Sequence, residues 1–218
     1  MVNVSGGTFT MGASSEMTGP DDDEKPTHQV TLSSYYIGET EVTQALWKAV
    51  MGYNPSGFKG DNLPVENVSW DDCQEFIRKL NAATGRRFRL PTEAEWEFAA
   101  RGGNQSRRTQ YSGSSNIDDV AWYGDNSGNS THPVKTKRPN ELGLYDMTGN
   151  VWEWCQDWYG SYTNYSQTNP TGPYSGSCRV DRGGSWNYYA WYCRSSSRGN
   201  VTPDYRHYNL GFRLALSE

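Results

Sequence analysis

The side chains best suited to nucleophilic, redox or metal chemistry are few and scattered. The 218 residues include four cysteines and three histidines: Cys73, Cys155, Cys178, Cys193, His28, His132 and His207. No C-x-x-C pair occurs, so zinc-ribbon and thioredoxin-type sites are not expected. The histidines lie in different segments, which favours packing or surface roles over a zinc site or a nucleophile–base pair. We expect buried free thiols, with a Cys178–Cys193 disulfide as the alternative.

A second kind of chemistry, recognition by aromatic surfaces, is concentrated near the C-terminus. Residues 185–218 hold 8 aromatic residues in 34 positions, against 14% for the whole chain. Consecutive aromatics cannot all face inward, so some must face solvent or a partner. Tyr, Ser, Gly and Asn mixtures of this kind are typical of antibody binding loops. The candidate ligand-binding residues are Asn187, Tyr188, Tyr189, Trp191, Tyr192, Ser197, Gly199, Asn200, Val201, Tyr205, His207 and Tyr208.

Composition indicates a folded domain without a broad positive field. Nine Trp and 15 Tyr supply large buriable surfaces, and the formal net charge of −5 disfavours nucleic acid and anionic lipid as partners. No window approaches the roughly 20 apolar residues of a membrane span, and no export signal is recognisable at Met1. Without internal repeats or a composition break, residues 1–218 are expected to form a single domain, and we expect a monomer.

Three segments have the start signals and apolar spacing of amphipathic helices. They begin at Thr43, Ser69 and Thr92 and end at Gly52, Gly85 and Gly102-Gly103. The first helix carries Leu46, Trp47, Val50 and Met51. In the other two helices, the residues expected to face the core are Trp70, Cys73, Phe76, Ile77, Leu80, Trp96, Ala99 and Ala100.

Strand patterns are shorter. Strands are predicted over residues 7–11, over residues 29–37 with Val30, Leu32 and Tyr36 alternating, and over residues 210–216. The remainder reads as loops anchored by tryptophans.

The order of several motifs resembles the formylglycine-generating enzyme, or sulfatase-modifying factor, family. The motifs include Arg89-Leu90-Pro91-Thr92-Glu93-Ala94-Glu95-Trp96-Glu97, Gly149-Asn150-Val151-Trp152-Glu153-Trp154, Arg182-Gly183-Gly184-Ser185-Trp186 and Asn209-Leu210-Gly211-Phe212-Arg213. The match extends over nearly the whole chain. It implies an α+β fold of the C-type lectin-like kind, with a small antiparallel sheet, a few helices and long ordered loops.

The family resemblance also implies where catalysis would occur. Its enzymes oxidise a substrate cysteine with a pair of their own cysteines, which follow the Gly-Gly-Ser motif. Here Tyr188 takes the place of the first cysteine, and Cys193 is by spacing a poor substitute for the second. A tyrosine cannot supply the thiolate that this chemistry needs, so the sequence predicts a protein that is not an enzyme and has no catalytic cofactor.

A structural calcium site is a further implication of the resemblance. The corresponding loop would offer carboxylate oxygens of Asp146 and Glu153 and backbone carbonyls of Gly149 and Val151. Hard oxygen ligands on a turn suit Ca²⁺. In the alternative, Glu153 and Asn150 fix the loop by hydrogen bonds alone.

The C-terminal stretch also resembles the variable proteins of diversity-generating retroelements. Residues typical of the family alternate with positions held by Asn, Tyr, Ser, Gly, Val and His, all of which arise when the adenines of an asparagine codon are randomised. Trp191 departs from this pattern, although an arginine codon with one leading adenine could yield it. The resemblance implies a display protein that binds a protein ligand on another cell or surface.

Display proteins of this type are exported to the cell surface, commonly through a lipid anchor, so an export segment beyond this sequence is expected. Three alternatives stay open. One is an enzyme of the same family with a different reaction, another is a family member with an ordinary surface and unknown ligand, and the third is a calcium-dependent lectin.

Overall fold

The computed structural model describes residues 1–217, and its three α-helices begin at capping side chains. Helix α1 comprises Gln44–Met51, α2 Trp70–Thr84 and α3 Glu93–Ala100. The hydroxyls of Thr43, Ser69 and Thr92 each accept a hydrogen bond from the backbone N–H three residues later. All three predicted helices are confirmed. None of the helices described is long and apolar enough to cross a bilayer.

Helix α3 is more deeply buried than its sequence predicts. All eight of its residues are buried, whereas the apolar spacing predicts only a stripe of Trp96, Ala99 and Ala100. The difference arises because the helix carries glutamates that are satisfied inside the protein rather than by water. Trp70 packs against the core as expected, although it is only half-buried.

The strands form three small sheets among the described residues. The first has the order β1 (Val2–Val4), β4 (Tyr35–Ile37), β11 (Ala215–Ser217) and β5 (Phe88–Arg89). The second has the order β10 (Leu210–Gly211), β6 (Trp152–Trp158), β8 (Arg179–Arg182) and β9 (Arg198–Val201). The third contains β2 (Gly7–Met11), β3 (His28–Leu32) and β7 (Gln167–Thr168).

This α+β architecture confirms the predicted fold class and corrects two details. Strand β6 pairs in parallel with β10, and β3 pairs in parallel with β7, so the sheets are not wholly antiparallel. The predicted strands over residues 29–37 and 210–216 each divide into two strands of different sheets. The break at residues 33–34 also shifts the alternation, so that Tyr35 and Ile37 are buried while Tyr36 is half-buried.

Buried arginine–glutamate pairs connect the C-terminal third to the rest of the domain. The pairs are Arg182–Glu97, Arg194–Glu24, Arg198–Glu93 and Arg213–Glu153. Their side chains are almost fully buried, and the closest N–O distances of the last three are 2.5, 2.5 and 2.6 Å. Removing one partner of such a pair leaves an uncompensated buried charge, which costs about 3–5 kcal/mol. These pairs therefore fix the scaffold on which the C-terminal loops lie.

Candidate ligand-binding surface

A groove of about 420 Å³ opens beside the second sheet, between the loops that follow β8 and β9. Eight of the twelve predicted ligand-binding residues line it: Asn187, Tyr188, Tyr192, Gly199, Asn200, Val201, Tyr205 and His207. Trp152, Asp181, Arg198, Asn209 and Leu210 complete the lining. The structure thus brings together most of the predicted residues, which the sequence could place only as positions along the chain.

Backbone pairing and buried amides position these loops. Strand β9 pairs antiparallel with β8, with Gly199 opposite Asp181. Buried Asn209 donates from its amide nitrogen to Asn187 Oδ1 at 2.9 Å, and Asn67 N–H donates to the carbonyl of His207 at 2.9 Å. The exposed side chains therefore project from a main chain whose position is fixed by strand pairing and hydrogen bonds.

Two tyrosines form a wall of the groove and also pack on the core. The Tyr188 ring lies edge-on to Trp152 at a centroid distance of 5.5 Å and to Tyr192 at 5.2 Å. Both tyrosines are half-buried. Burial, followed by the nearby charge of Asp181, raises the pKa of Tyr188. These two residues combine a structural and a surface role.

Tyr189 and Trp191 lie outside the groove and are the most exposed aromatic residues of the predicted set. Their rings are 59% and 49% exposed and stack on each other at 4.4 Å with an angle of 19°. They flank the first residue of the short 3-10 turn Ala190–Cys193. A stacked pair of this kind offers a rigid amphipathic platform at low entropic cost.

A second exposed group comes from the loop before β10. Tyr205 and Tyr208 are 42% and 43% exposed, and the His207 ring lies between them, at 5.8 and 3.9 Å from their ring centroids. His207 Nδ1 is 2.6 Å from Asn209 Oδ1, which fixes the ring. Tyr208 borders Trp186 at 5.5 Å and does not line the groove.

Ser197 is a correction to the predicted set. It is only 1% exposed, and its backbone carbonyl accepts a hydrogen bond from Arg182 Nη1 at 2.5 Å. The backbone of the turn that contains Ser197 binds the Arg182 guanidinium, and the Ser197 side chain is buried. The Ser197 side chain therefore does not face a ligand.

Asp181 is the member of the site that the sequence did not reveal. It is 6% exposed, and its Oδ1 atom has no hydrogen-bond partner among the described residues. Burial raises its pKa to about 7. Its position in the middle of a short strand gave no signal, because only the pairing with Gly199 brings its carboxylate to the groove.

Residues 1–218 match the family described as the sulfatase-modifying factor enzyme 1-like domain. The chain belongs to this family. The formylglycine-generating enzyme of Streptomyces coelicolor is 34% identical, over 98% of this chain and 88% of that protein. Chaperone protein LppX of Paenibacillus barcinonensis is 36% identical, over 85% of this chain and 78% of that protein. The structure of Treponema denticola variable protein 1 has a TM-score of 0.90 at 38% identity, with coverage of 100% of this chain and 95% of that chain.

These relatives thus carry different names, so membership of the family does not specify the function of this chain. The function must be inferred from the residues of the site. Where the family resemblance implies catalytic cysteines, this chain has Tyr188 and the fully buried Cys193, whose pKa burial raises to about 12. Burial likewise raises the pKa values of Cys73 and Cys155 well above the usual range. A buried thiol held in its protonated form is inert as a nucleophile.

The other predicted thiol and histidine roles can also be placed. All four cysteines are free, so the alternative Cys178–Cys193 bridge is not formed, and Cys178 is half-exposed rather than buried. His28 packs on Tyr162 at 4.9 Å, and His132 stacks on Trp122 at 3.7 Å. Within residues 1–217 no three His, Cys, Asp or Glu side chains converge on a metal position.

In the loop that the family resemblance implies as a calcium site, the Glu153 carboxylate is already hydrogen-bonded to other side chains. Its two carboxylate oxygens each accept a hydrogen bond from Arg213 at 2.6 Å, and Oε2 also accepts from Trp96 Nε1 at 2.7 Å. With a guanidinium against both oxygens, Glu153 as placed does not fit a calcium ligand.

The neighbouring Asn150 is held in the same way. Its amide nitrogen donates to Glu41 Oε2 at 3.0 Å, which agrees with the hydrogen-bonded alternative for this loop. Calcium binding through Asp146, Gly149 and Val151 stays a prediction, and calorimetric titration with Ca²⁺ would test it.

Proposed function

We propose that this chain is a non-enzymatic display protein, whose C-terminal surface is diversified by a retroelement and binds a protein ligand. The observation that carries the proposal is the segregation of two kinds of residue within one stretch. Arg194, Arg198 and Arg213 are buried and paired, whereas Tyr189 and Trp191, which closely precede Arg194 in the same stretch, are exposed. Substitutions at the exposed positions leave the buried pairs intact.

The similarity to Treponema denticola variable protein 1 supports this function, because it extends over the whole chain at 38% identity. The chemistry of the exposed positions supports it too. Tyr and Trp supply large contact areas, and a protein ligand that covers them would make each worth about 2 kcal/mol or more of binding free energy. No described thiol at the position of the enzymes' cysteine pair is poised for oxidation.

The proposed setting follows from this role. The ligand is a protein on another cell or surface, and this chain acts as a monomer at the surface of its own cell, exported and held by a lipid anchor. Nucleic acid is not proposed as a partner, because the chain carries a net charge of −5.

The test is the nucleotide sequence around the gene. We expect a near-copy of its 3′ end beside a reverse transcriptase gene, differing only where the copy has adenines. The mismatches should fall in codons for exposed residues such as Asn187, Tyr189 and Tyr205 and should spare the matched buried positions Arg194 and Arg213.

Absence of such a copy would contradict diversification. Stoichiometric copper or iron in the purified protein would instead favour an oxidoreductase of the same family, whereas calcium-dependent glycan binding that chelation abolishes would favour a lectin.

A further inference from the structure

The groove contains a carboxylate without a counter-ion. Asp181 is almost fully buried, and its Oδ1 has no hydrogen-bond partner within residues 1–217. The two neighbouring guanidiniums are committed to other acids, Arg198 to Glu93 and Arg182 to Glu97. An unpaired buried carboxylate is costly in a folded protein, so its retention at the lining of an open groove points to a ligand group that completes it.

Aromatic residues share the groove with this carboxylate. Trp152, Tyr188, Tyr192 and Tyr205 line the same groove as Asp181. Aromatic faces attract ammonium and guanidinium groups through their quadrupoles, and a carboxylate adds a charged hydrogen-bond acceptor. A neutral apolar side chain would fit the walls but would leave Asp181 unpaired, and an anion would be repelled.

We propose that the groove receives a cationic side chain, lysine or arginine, of the protein ligand, with Asp181 as its charged partner. The inference rests on the proposed function and specifies the ligand chemistry at its centre. Asp181 and Trp152 lie outside the residues expected to vary, so the anion belongs to the scaffold, while Tyr188, Tyr192 and Tyr205 belong to the variable set.

Gly199 controls access to this anion. A methyl group added at Gly199 would lie 2.5 Å from Asp181 Oδ2, which is closer than non-bonded atoms approach. Any side chain at position 199 must therefore displace the carboxylate or cover it. Glycine at this variable position thus leaves the cation site open, and other residues would close it.

The experiment uses the intact protein and two small probes, N-acetyl-lysine methylamide and its uncharged analogue N-acetyl-norleucine methylamide. Binding is measured at pH 8 by NMR shifts of the Trp152 indole and the Gly199 amide. We expect the lysine probe to bind at least tenfold more tightly than the norleucine probe. Asp181→Asn and Gly199→Ala should each remove that preference.

Asp61→Asn, an exposed carboxylate outside the groove, is the matched control and should retain the preference. Circular dichroism and thermal unfolding establish that each variant is folded, and two differently acting variants keep the test open if one fails to fold. Equal binding of both probes to the wild type, or an unchanged preference in Asp181→Asn, would overturn the inference.

The outcomes separate this inference from the function on which it rests. Loss of the cation preference together with a confirmed template copy would leave the display function standing with a different ligand chemistry. Cation binding without any template copy would leave the groove as a site of an undiversified family member.

Discussion

The C-terminal stretch contains two sets of positions that differ in how they are held. Arg194 and Arg213 are fully buried and bound to glutamates far away in sequence. Tyr205 lies between them in sequence and Trp191 lies three residues before Arg194, yet the side chains of Trp191 and Tyr205 are about half exposed. The first set obtains its stability from charge pairing and the second contributes area to the surface. A chain can therefore vary one set without altering the fold that the other maintains.

The largest expected effect comes from breaking the buried set. Arg213→Met removes the guanidinium that contacts both oxygens of Glu153 and leaves a buried carboxylate unpaired. We expect the free energy of unfolding to fall by about 3–5 kcal/mol, measured by urea denaturation.

Arg206→Met is the matched control from the same stretch. Arg206 forms a comparable pair with Asp72, but its side chain is 50% exposed, so the loss should stay below about 1 kcal/mol. Similar losses of unfolding free energy in the two variants would show that buried and exposed ion pairs contribute equally to stability, contrary to the comparison.

One buried and one exposed tryptophan allow the same comparison of the two sets without charged groups. Trp186 is 6% exposed and packs on Phe58 at 5.4 Å, so Trp186→Ala should cost about 3–5 kcal/mol of unfolding free energy. Trp191 is 49% exposed, and Trp191→Ala should change stability by no more than about 0.5 kcal/mol. Chemical denaturation of both variants checks the contrast, which a large loss at Trp191 would break.

The helices could be predicted because their signals are local. Ser69 and Thr92 cap the helices that follow them, and left-handed Gly85 ends α2 at a φ of +68°. The sheets were harder, because their pairings join distant segments: β11 lies between β4 and β5, and Gly199 lies opposite Asp181. No periodicity within a short strand specifies such a partner.

The site shows the same limit. The density of aromatics in one segment predicted that some of these rings face solvent, since consecutive rings cannot all be buried. It did not specify that the exposed rings are those of Tyr189 and Trp191. Burial of Ser197 did not follow, because it depends on the guanidinium of Arg182 reaching its carbonyl from another strand. Asp181 was missed for a related reason, namely that Gly199 of the neighbouring strand leaves room for its carboxylate.

A smaller effect is expected at an acid of the scaffold that lacks an arginine partner. Asp157 accepts the Glu93 N–H at 2.9 Å, and burial together with the charge of Glu93 raises its pKa to about 8. The unfolded chain loses this proton near pH 4. Between these values the folded state binds more protons, so the unfolding free energy falls as pH rises.

Asp157→Asn has no proton to lose at this position. Its unfolding free energy relative to wild type should therefore increase between pH 5 and pH 8, by at least about 1 kcal/mol. Urea denaturation at several pH values measures the difference, with exposed Asp61→Asn as the control. A pH-independent difference would mean that Asp157 is ionised throughout this range in the folded protein.

The smallest expected difference lies at the boundary between the two sets. Tyr188 is half-buried and packs edge-on against Trp152, whereas Tyr189 is 59% exposed and contacts Trp191. Tyr188→Ala should cost about 1–2 kcal/mol of unfolding free energy, within the common range for point mutations, and Tyr189→Ala about 0.5 kcal/mol or less. Both substitutions should weaken binding of a protein ligand that covers them. If Tyr189→Ala destabilised the fold as much as Tyr188→Ala, both rings would be part of the core. The separation on which the proposed display function rests would then fail at the most exposed aromatic residue of the predicted set.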